Sequence, residues 1–166
     1  MSQGRARIVW AALAAVSVGA VAVSLAVTEW RFLEPCHLCI FQRLLFMLLA
    51  VSTGIATLGG AHLVGRVAGA LAALVAALGV GVATYQSWLQ HEAVESLVSC
   101  TGGEPGPIER LVEWLGERWP TLFMPSGFCD DPGATFLGLS LANWSLIAFA
   151  ACLLAAVWGI WRTLHV

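Results

Sequence analysis

The chain has 166 residues, of which 59% are hydrophobic and only 11% are charged. A soluble globular domain is about half apolar and about a quarter charged, so this composition excludes an ordinary water-soluble fold and favours a protein whose surface is buried in a lipid bilayer. The formal net charge is -2 and lysine is absent, so the sequence offers no basic surface for a nucleic acid.

Four apolar stretches each approach the length of about 20 residues that a helix needs to cross the hydrocarbon core. They cover residues 8–28, 40–58, 67–85 and 136–161. Backbone groups in lipid must be hydrogen-bonded within their own segment, so we expect an all-α, four-helix transmembrane bundle forming one membrane domain over residues 1–166. The first stretch follows Arg5 and Arg7 as in a signal peptide, but it is longer than a signal core, and we predict a retained helix.

The placement of charged residues predicts the orientation of the bundle. Four arginines flank the spans on one side, namely Arg5, Arg7, Arg66 and Arg162. All 10 acidic residues fall in the connections on the other side, residues 29–39 and 86–135. Because basic residues favour the cytoplasmic side, we expect cytoplasmic termini and two outward-facing loops.

The second outer loop is predicted to contain a short helix. After the turn-rich "CTGGEPGP", the stretch "IERLVEWLGERWP" places Ile108, Leu111, Val112 and Leu115 at helical spacing, with glutamates on another side. This pattern predicts an amphipathic helix on the membrane surface, ended by Pro120. Two interpretations of the helix stay open: a cap over the bundle without chemistry, and a carrier for a mobile cysteine.

Four of the 5 cysteines lie in the outer loops, namely Cys36, Cys39, Cys100 and Cys129. An outward bacterial compartment is oxidising, so these cysteines can form disulfides. A zinc site of four cysteines is disfavoured because only one C-x-x-C is present. Two inert structural disulfides are a second alternative, although a C-x-x-C bridge closes too short a loop to stabilise a fold much. Cys152, inside the fourth span, is interpreted as a small apolar residue.

The sequence "EPCHLCIFQR" combines a C-x-x-C with a helix start. A helix N-terminus and nearby cations favour the thiolate, and Pro35 is typical of a first helical turn. Arg43 follows Cys39 by four residues and therefore lies on the same helix face, which places a permanent charge beside the sulfur. Such a charge at the membrane edge indicates a function rather than simple snorkelling. His37 either tunes the thiols or occupies an exposed position without a role.

One cysteine pair at the membrane edge and another in a loop predict a relay through mixed disulfides. The sequence has no haem C-x-x-C-H motif and no flavin fingerprint. We therefore predict no metal cofactor and a lipid-soluble quinone as electron acceptor, near Cys39 and Arg43, where a cation stabilises charge on the quinone oxygen.

The chain resembles the DsbB family of bacterial inner-membrane proteins. The likeness lies in "PCHLCIFQR", the lone Cys100 and "PSGFCDDPGATFLGLSLANWSL" around Cys129, in the family's order and on four spans. The resemblance implies a quinone-linked thiol oxidase that reoxidises the periplasmic protein DsbA. It also implies a Cys36–Cys39 disulfide and a Cys100–Cys129 disulfide, attack by DsbA at Cys100, and a transient bridge between Cys36 and Cys129.

The same resemblance assigns the quinone contacts to Cys39 and Arg43. Some family members carry a histidine near the outer end of the third helix that lines the quinone site. The nearest position here is Gln86, with His91 five residues later, and both are candidates. The resemblance does not separate ubiquinone from menaquinone.

Two rival functions remain at the level of sequence. A vitamin K epoxide reductase-like enzyme also has a helical bundle, a C-x-x-C and a quinone, but its loop cysteines precede the C-x-x-C, whereas here they follow it. A non-enzymatic membrane scaffold with two structural disulfides requires neither a quinone nor the offset between Cys39 and Arg43.

Overall fold

The computed structural model describes residues 2–31, 34–95, 106–127, 129 and 135–164. Four long helices are present: α1 (Ser2–Arg31), α2 (His37–Gly59), α3 (Leu63–Glu95) and α6 (Leu141–Leu164). Between α3 and α6 lie two short helices, α4 (Pro107–Arg118) and α5 (Pro120–Phe123), and a hairpin of β1 (Thr135–Phe136) and β2 (Leu139–Ser140). Each long helix contains a stretch long and apolar enough to cross a membrane, which confirms the predicted four-helix bundle.

The long helices pack in a closed ring. Helix α2 lies against α1 and α3, and α6 lies against α3 and α1. A short turn joins α2 to α3, and Gly60 adopts a positive φ of 54° there, which glycine tolerates because it has no Cβ. As a result the C-terminal ends of α1 and α3 meet the N-terminal ends of α2 and α6 at one end of the bundle.

The core is built from aromatic rings seated on small residues. Phe149 of α6 stacks on Phe46 of α2 with ring centroids 3.9 Å apart, and it covers Gly79 of α3 so closely that a Cβ there would meet the ring. Toward the end of the bundle that lies opposite the cysteines, Trp10 of α1 packs against Gly69 of α3 and Gly159 of α6. Small residues allow helices to approach closely where lipid gives no hydrophobic drive for association, so they stabilise the bundle by packing.

The helix bounds differ from the predicted spans at the end that carries the cysteines. The fourth helix begins at Leu141 rather than at 136, because Thr135–Ser140 form an antiparallel hairpin. Leu137 and Gly138 turn this hairpin with φ of 53° and 78°, the paired positive values of a tight two-residue turn. Helix α3 continues to Glu95, so Gln86 lies on a helix and not in a loop.

The predicted amphipathic helix is present as α4, with Val112, Leu115 and Gly116 buried. Its apolar side packs with Ile40 of α2 and Phe123 of α5 in a second, smaller core. The helix ends at Arg118, and Pro120 begins α5. Its placement on a membrane surface stays a prediction, while its contact with α2 brings it beside the C-x-x-C.

Candidate active site

The C-x-x-C forms the N-terminal cap of α2. Cys36 is the N-cap residue, and its Sγ accepts a hydrogen bond from the backbone N–H of Cys39 at 3.3 Å. The Cys36 thiol also donates to the Cys39 Sγ at 2.9 Å. Both cysteines are free thiols in this structure, and Cys36 is only 2% exposed whereas Cys39 is partly exposed. The two sulfurs lie in contact, and the predicted disulfide between Cys36 and Cys39 stays a prediction.

Cys129 of the second outer loop reaches the same cap. Its sulfur lies within hydrogen-bonding reach of the Cys36 sulfur, which competes with Cys39 for the one Cys36 proton, and it accepts from the backbone N–H groups of His37 and Leu38. Cys36 therefore contacts two sulfurs, one from its own motif and one from a segment far along the chain. This arrangement allows one sulfur to exchange disulfide partners without a large movement.

The backbone before Cys129 is docked on the segment that precedes Cys36. The N–H groups of Ser126 and Gly127 donate to the carbonyl oxygen of Pro35 at 3.0 and 3.2 Å. Gly127 lies so close to the Glu34 carbonyl that a Cβ there would overlap it. A glycine is required at this close approach, and it brings Cys129 to Cys36.

The pKa values of Cys36 and Cys129, which lie outside the membrane-spanning helices, are shifted in opposite directions. Hydrogen bonds to Cys129 and Cys39, together with burial, raise the pKa of the Cys36 thiol. The Cys36 thiol, with the backbone N–H groups of Leu38 and His37, lowers the pKa of Cys129 despite partial burial. The contrast favours Cys129 as the thiolate and Cys36 as its protonated neighbour.

Arg43 is buried one turn below Cys39 and is held by three hydrogen bonds. Its Nε donates to Ser24 Oγ at 3.1 Å and one terminal nitrogen donates to Thr28 Oγ1 at 3.0 Å, both on α1. The other terminal nitrogen donates to the backbone carbonyl of Leu122 on α5 at 2.8 Å. The side chain thus joins α1, α2 and the outer segment that leads to Cys129.

A pair of buried glutamines, Gln42 on α2 and Gln86 on α3, completes the site. The Gln86 Nε2 donates to Cys39 Sγ at 3.0 Å and to Cys36 Sγ at 3.3 Å, while its Oε1 accepts from Gln42 Nε2 at 2.8 Å. Gln86 was a candidate from the resemblance alone. Gln42 was missed, although a glutamine directly before Arg43 in an apolar helix was a signal that a buried polar partner was needed.

The remaining predicted residues either have side chains outside this cluster or are not among the described residues. His91 is exposed on α3, and five residues beyond Gln86 corresponds to about 140° around a helix. Cys100 lies outside the described residues, and so does the predicted Cys100–Cys129 pairing. Cys152 is buried in the main apolar core, and His37 lies 3.7 Å from Glu113 of α4.

The donor groups of the site fit a quinone. A guanidinium carries more N–H donors than the three that Arg43 uses within the protein, so it retains capacity toward an oxygen acceptor. Cys39, one turn away on the same helix, is partly exposed. A cation and a thiol at this spacing suit a ring with carbonyl oxygens that gains negative charge on reduction.

Comparisons with known proteins agree on one family. The sequence model described as "Disulfide bond formation protein DsbB" matches residues 6–159. A disulfide bond formation protein B from Dechloromonas aromatica (strain RCB) is 44% identical over 142 residues, covering 84% of this chain and 83% of that protein. The protein of the same name from Azoarcus sp. (strain BH72) is 39% identical, covering 83% of this chain and 82% of its own length. A third, from Albidiferax ferrireducens, is 35% identical over 159 residues, covering 94% and 88% respectively.

Proposed function

The chain belongs to the DsbB family, and on that premise we propose that it reoxidises a DsbA-type dithiol protein and passes the electrons to a membrane quinone. Membership makes the chain a membrane oxidoreductase that acts on protein disulfides. The position of Cys36 carries the proposal, since its sulfur contacts both Cys39 and Cys129. A scaffold with inert disulfides would not require three cysteines in mutual reach.

The reaction that we propose begins at the loop cysteines. A thiolate of the partner attacks Cys100 of a Cys100–Cys129 disulfide, forms a mixed disulfide and releases Cys129 as a thiolate. The lowered pKa of Cys129 supports this role as leaving group and as the next nucleophile. Cys129 then attacks Cys36 of a Cys36–Cys39 disulfide, and Cys39 leaves with the electron pair of the broken bond.

The second half of the exchange restores the loop disulfide. The other thiolate of the partner attacks its own mixed disulfide, so the partner leaves oxidised and Cys100 leaves as a thiolate. Cys100 attacks Cys129 and releases Cys36, which regenerates the Cys100–Cys129 disulfide. The partner has then lost two electrons, and the Cys36–Cys39 pair holds them as two thiols.

A quinone, when bound, supplies the acceptor for these two electrons and two protons and becomes a quinol. We propose that Arg43, Cys39 and Gln86 would hold it, with the guanidinium supplying N–H donors for a carbonyl oxygen and Cys39 supplying the reacting thiol. Ubiquinone and menaquinone share the carbonyl groups that this donor set would bind. The proposed part of His91 in the same site remains a prediction.

The direction of the reaction supports a location in the bacterial inner membrane. Disulfides persist in the oxidising periplasm, so the segments of Cys36 and Cys129 are proposed to face that side. The arginine pattern supports cytoplasmic termini for the same bundle. In that orientation the thiols would lie at the outer end, where a soluble partner and a lipid-soluble quinone would both have access.

Quinone reduction by the purified protein in detergent tests the proposal. With a reduced DsbA-type partner supplied, quinone absorbance should fall for the native chain and stay constant for Cys39→Ser. Arg43→Ala should require at least about tenfold more quinone for half-maximal rate, since a charge-assisted hydrogen bond contributes about 1.5–3 kcal/mol. Arg43→Lys is the matched control, because it retains the charge but not the planar fork and should fall between the two.

Two results would contradict the proposal. If the native chain leaves the quinone unreduced while all four outer cysteines remain in stable disulfides, the scaffold interpretation is correct. If Cys39→Ser consumes quinone at the native rate, the electrons do not leave through this pair.

A further inference from the structure

We propose that Gln42 and Gln86 form a relay of two amides that stabilises Cys39 as a thiolate. Gln86 contacts the reacting sulfur, and Gln42 is a positioning residue that acts through Gln86. The inference deepens the proposed function and rests on it, because Cys39 is the sulfur that leaves when Cys36 is attacked.

The two amides are removed from solvent and are linked across two helices. Gln86 is 1% exposed and Gln42 is 4% exposed. Gln42 Nε2 donates to Gln86 Oε1 at 2.8 Å, and Gln86 Nε2 donates to the sulfurs of Cys39 and Cys36 at 3.0 and 3.3 Å. Burying an amide costs free energy unless it is hydrogen-bonded, so amides in this position are held in place by the bonds that they make.

The orientation of the Gln86 amide follows from the chemistry of a thiolate. A thiolate accepts hydrogen bonds and cannot donate one, so only the NH₂ end of Gln86 stabilises it. That orientation leaves the amide oxygen of Gln86 facing α2, where it needs a donor, and the NH₂ of Gln42 supplies it. Without Gln42 the amide can turn, and its oxygen would then face the sulfurs and oppose the thiolate.

The other side chains that act on Cys39 are charged or titratable. Arg43 lies one turn on along the same helix, Cys36 caps that helix, and Cys129 reaches the cap from the outer loop. The glutamine pair joins α2 and α3, and neither amide titrates. Its effect on Cys39 therefore persists when Cys36 or Cys129 changes its protonation or its disulfide partner.

Alkylation of the fully reduced full-length protein in detergent tests the relay without a quinone. Iodoacetamide reacts with thiolates, and peptide mapping by mass spectrometry gives the rates at Cys39 and Cys129 in the same sample. We expect Gln86→Leu and Gln42→Leu each to slow labelling of Cys39 relative to Cys129 by about tenfold, the loss of one hydrogen bond to a charged group. The double variant should be no slower than Gln86→Leu alone, because Gln42 acts through Gln86.

Gln90→Leu is the matched control. Gln90 is a buried glutamine one turn further along α3, and its Oε1 accepts from Ser140 on the strand before α6. Its removal should leave the ratio of the Cys39 and Cys129 rates unchanged. If Gln86→Leu does not accumulate as folded protein, Gln42→Leu decides the question, since Gln42 donates to Gln86 and not to a sulfur.

The proposal is overturned if Gln42→Leu lowers the thermal unfolding midpoint but keeps the native rate ratio, because both residues would then be structural only. It is also overturned if the effects of the two single variants add in the double variant. Quinone consumption by the native chain is measured separately. A native chain that reduces no quinone, while the rate ratio still shifts, would remove the proposed function and leave the amide relay intact.

Discussion

The cysteines at the outer end of the bundle differ in what each sulfur contacts. Cys36 is buried with two other sulfurs in hydrogen-bonding reach, whereas the Cys129 sulfur accepts from two backbone N–H groups at the start of α2. Because these contacts raise the pKa of Cys36 and lower that of Cys129, they favour the thiolate at Cys129 over the thiolate at Cys36. The order of nucleophile and target in the proposed exchange follows from this difference.

We expect the pH dependence of alkylation to separate these two thiols in the reduced native chain. A lowered pKa means that Cys129 ionises below the ordinary cysteine value of about 8.5, so its labelling rate should level off at a lower pH than that of an unperturbed thiol. Cys36 should still be labelled at least about tenfold more slowly across the same range. Denatured protein is the control, in which the two rates should be alike. Equal rates in the native protein would contradict the assignment.

The spacing of residues along the sequence predicts only which side chains are neighbours on one helix. Arg43 could be predicted to lie beside Cys39, because an offset of four residues fixes a shared helix face. The pairing of Gln42 with Gln86 could not, since it depends on how α2 packs against α3. For the same reason the binding of Arg43 to Ser24 and to the Leu122 carbonyl is visible only in the folded chain.

Among the elements, the segment between α5 and the hairpin decides whether the two cysteine-bearing regions meet. Two backbone hydrogen bonds to Pro35 hold Ser126 and Gly127, and Arg43 holds the α5 carbonyl of Leu122. These contacts leave Cys129 at the cap of α2. The docking thus depends on backbone groups, and Gly127 is the position at which a side chain has no space.

Gly127→Ala should undock this segment. Its methyl group would overlap the Glu34 carbonyl, so we expect the backbone to move away and Cys129 to lose its contact with Cys36. We expect the neutral-pH labelling of Cys129 to slow by about tenfold, toward that of an ordinary thiol, because a hydrogen bond to a charged group contributes about 1.5–3 kcal/mol. Gly54→Ala is the control on α2, where a Cβ meets nothing within 4 Å. Native labelling in Gly127→Ala would mean that the close approach is unimportant.

Some elements could be predicted from sequence and some could not. Helix α4 follows from its one-sided apolar pattern, which needs no knowledge of the rest of the fold. The hairpin before α6 was missed because Phe136, Leu137 and Leu139 continue the apolar run of the fourth span. A two-residue turn at Leu137 and Gly138 interrupts that run, and hydropathy does not register such a turn.

For the whole molecule, the bilayer imposes the architecture and the helix ends carry the chemistry. Four apolar stretches of spanning length permit little except a helical bundle, so the fold class was predictable from composition and length. The site was not, because it combines α1, α2, α3 and the outer segment at one end of that bundle. In the proposed exchange, Cys36 is the sulfur that forms a disulfide first with Cys39 and then with Cys129 of the outer loop.

The most direct measurement is disulfide formation in a chain that retains only one possible partner for Cys129 among the outer cysteines. In Cys39→Ser with Cys100→Ser, Cys36 and Cys129 remain, and non-reducing peptide mapping after air oxidation should find them joined in most of the protein. The control, Cys36→Ser with Cys100→Ser, retains Cys39 and Cys129. It should form at least about tenfold less of the Cys39–Cys129 disulfide, because the Cys129 sulfur lies against Cys36 in the native fold. Equal yields of the two disulfides, or no disulfide in the first variant, would contradict the exchange through Cys36.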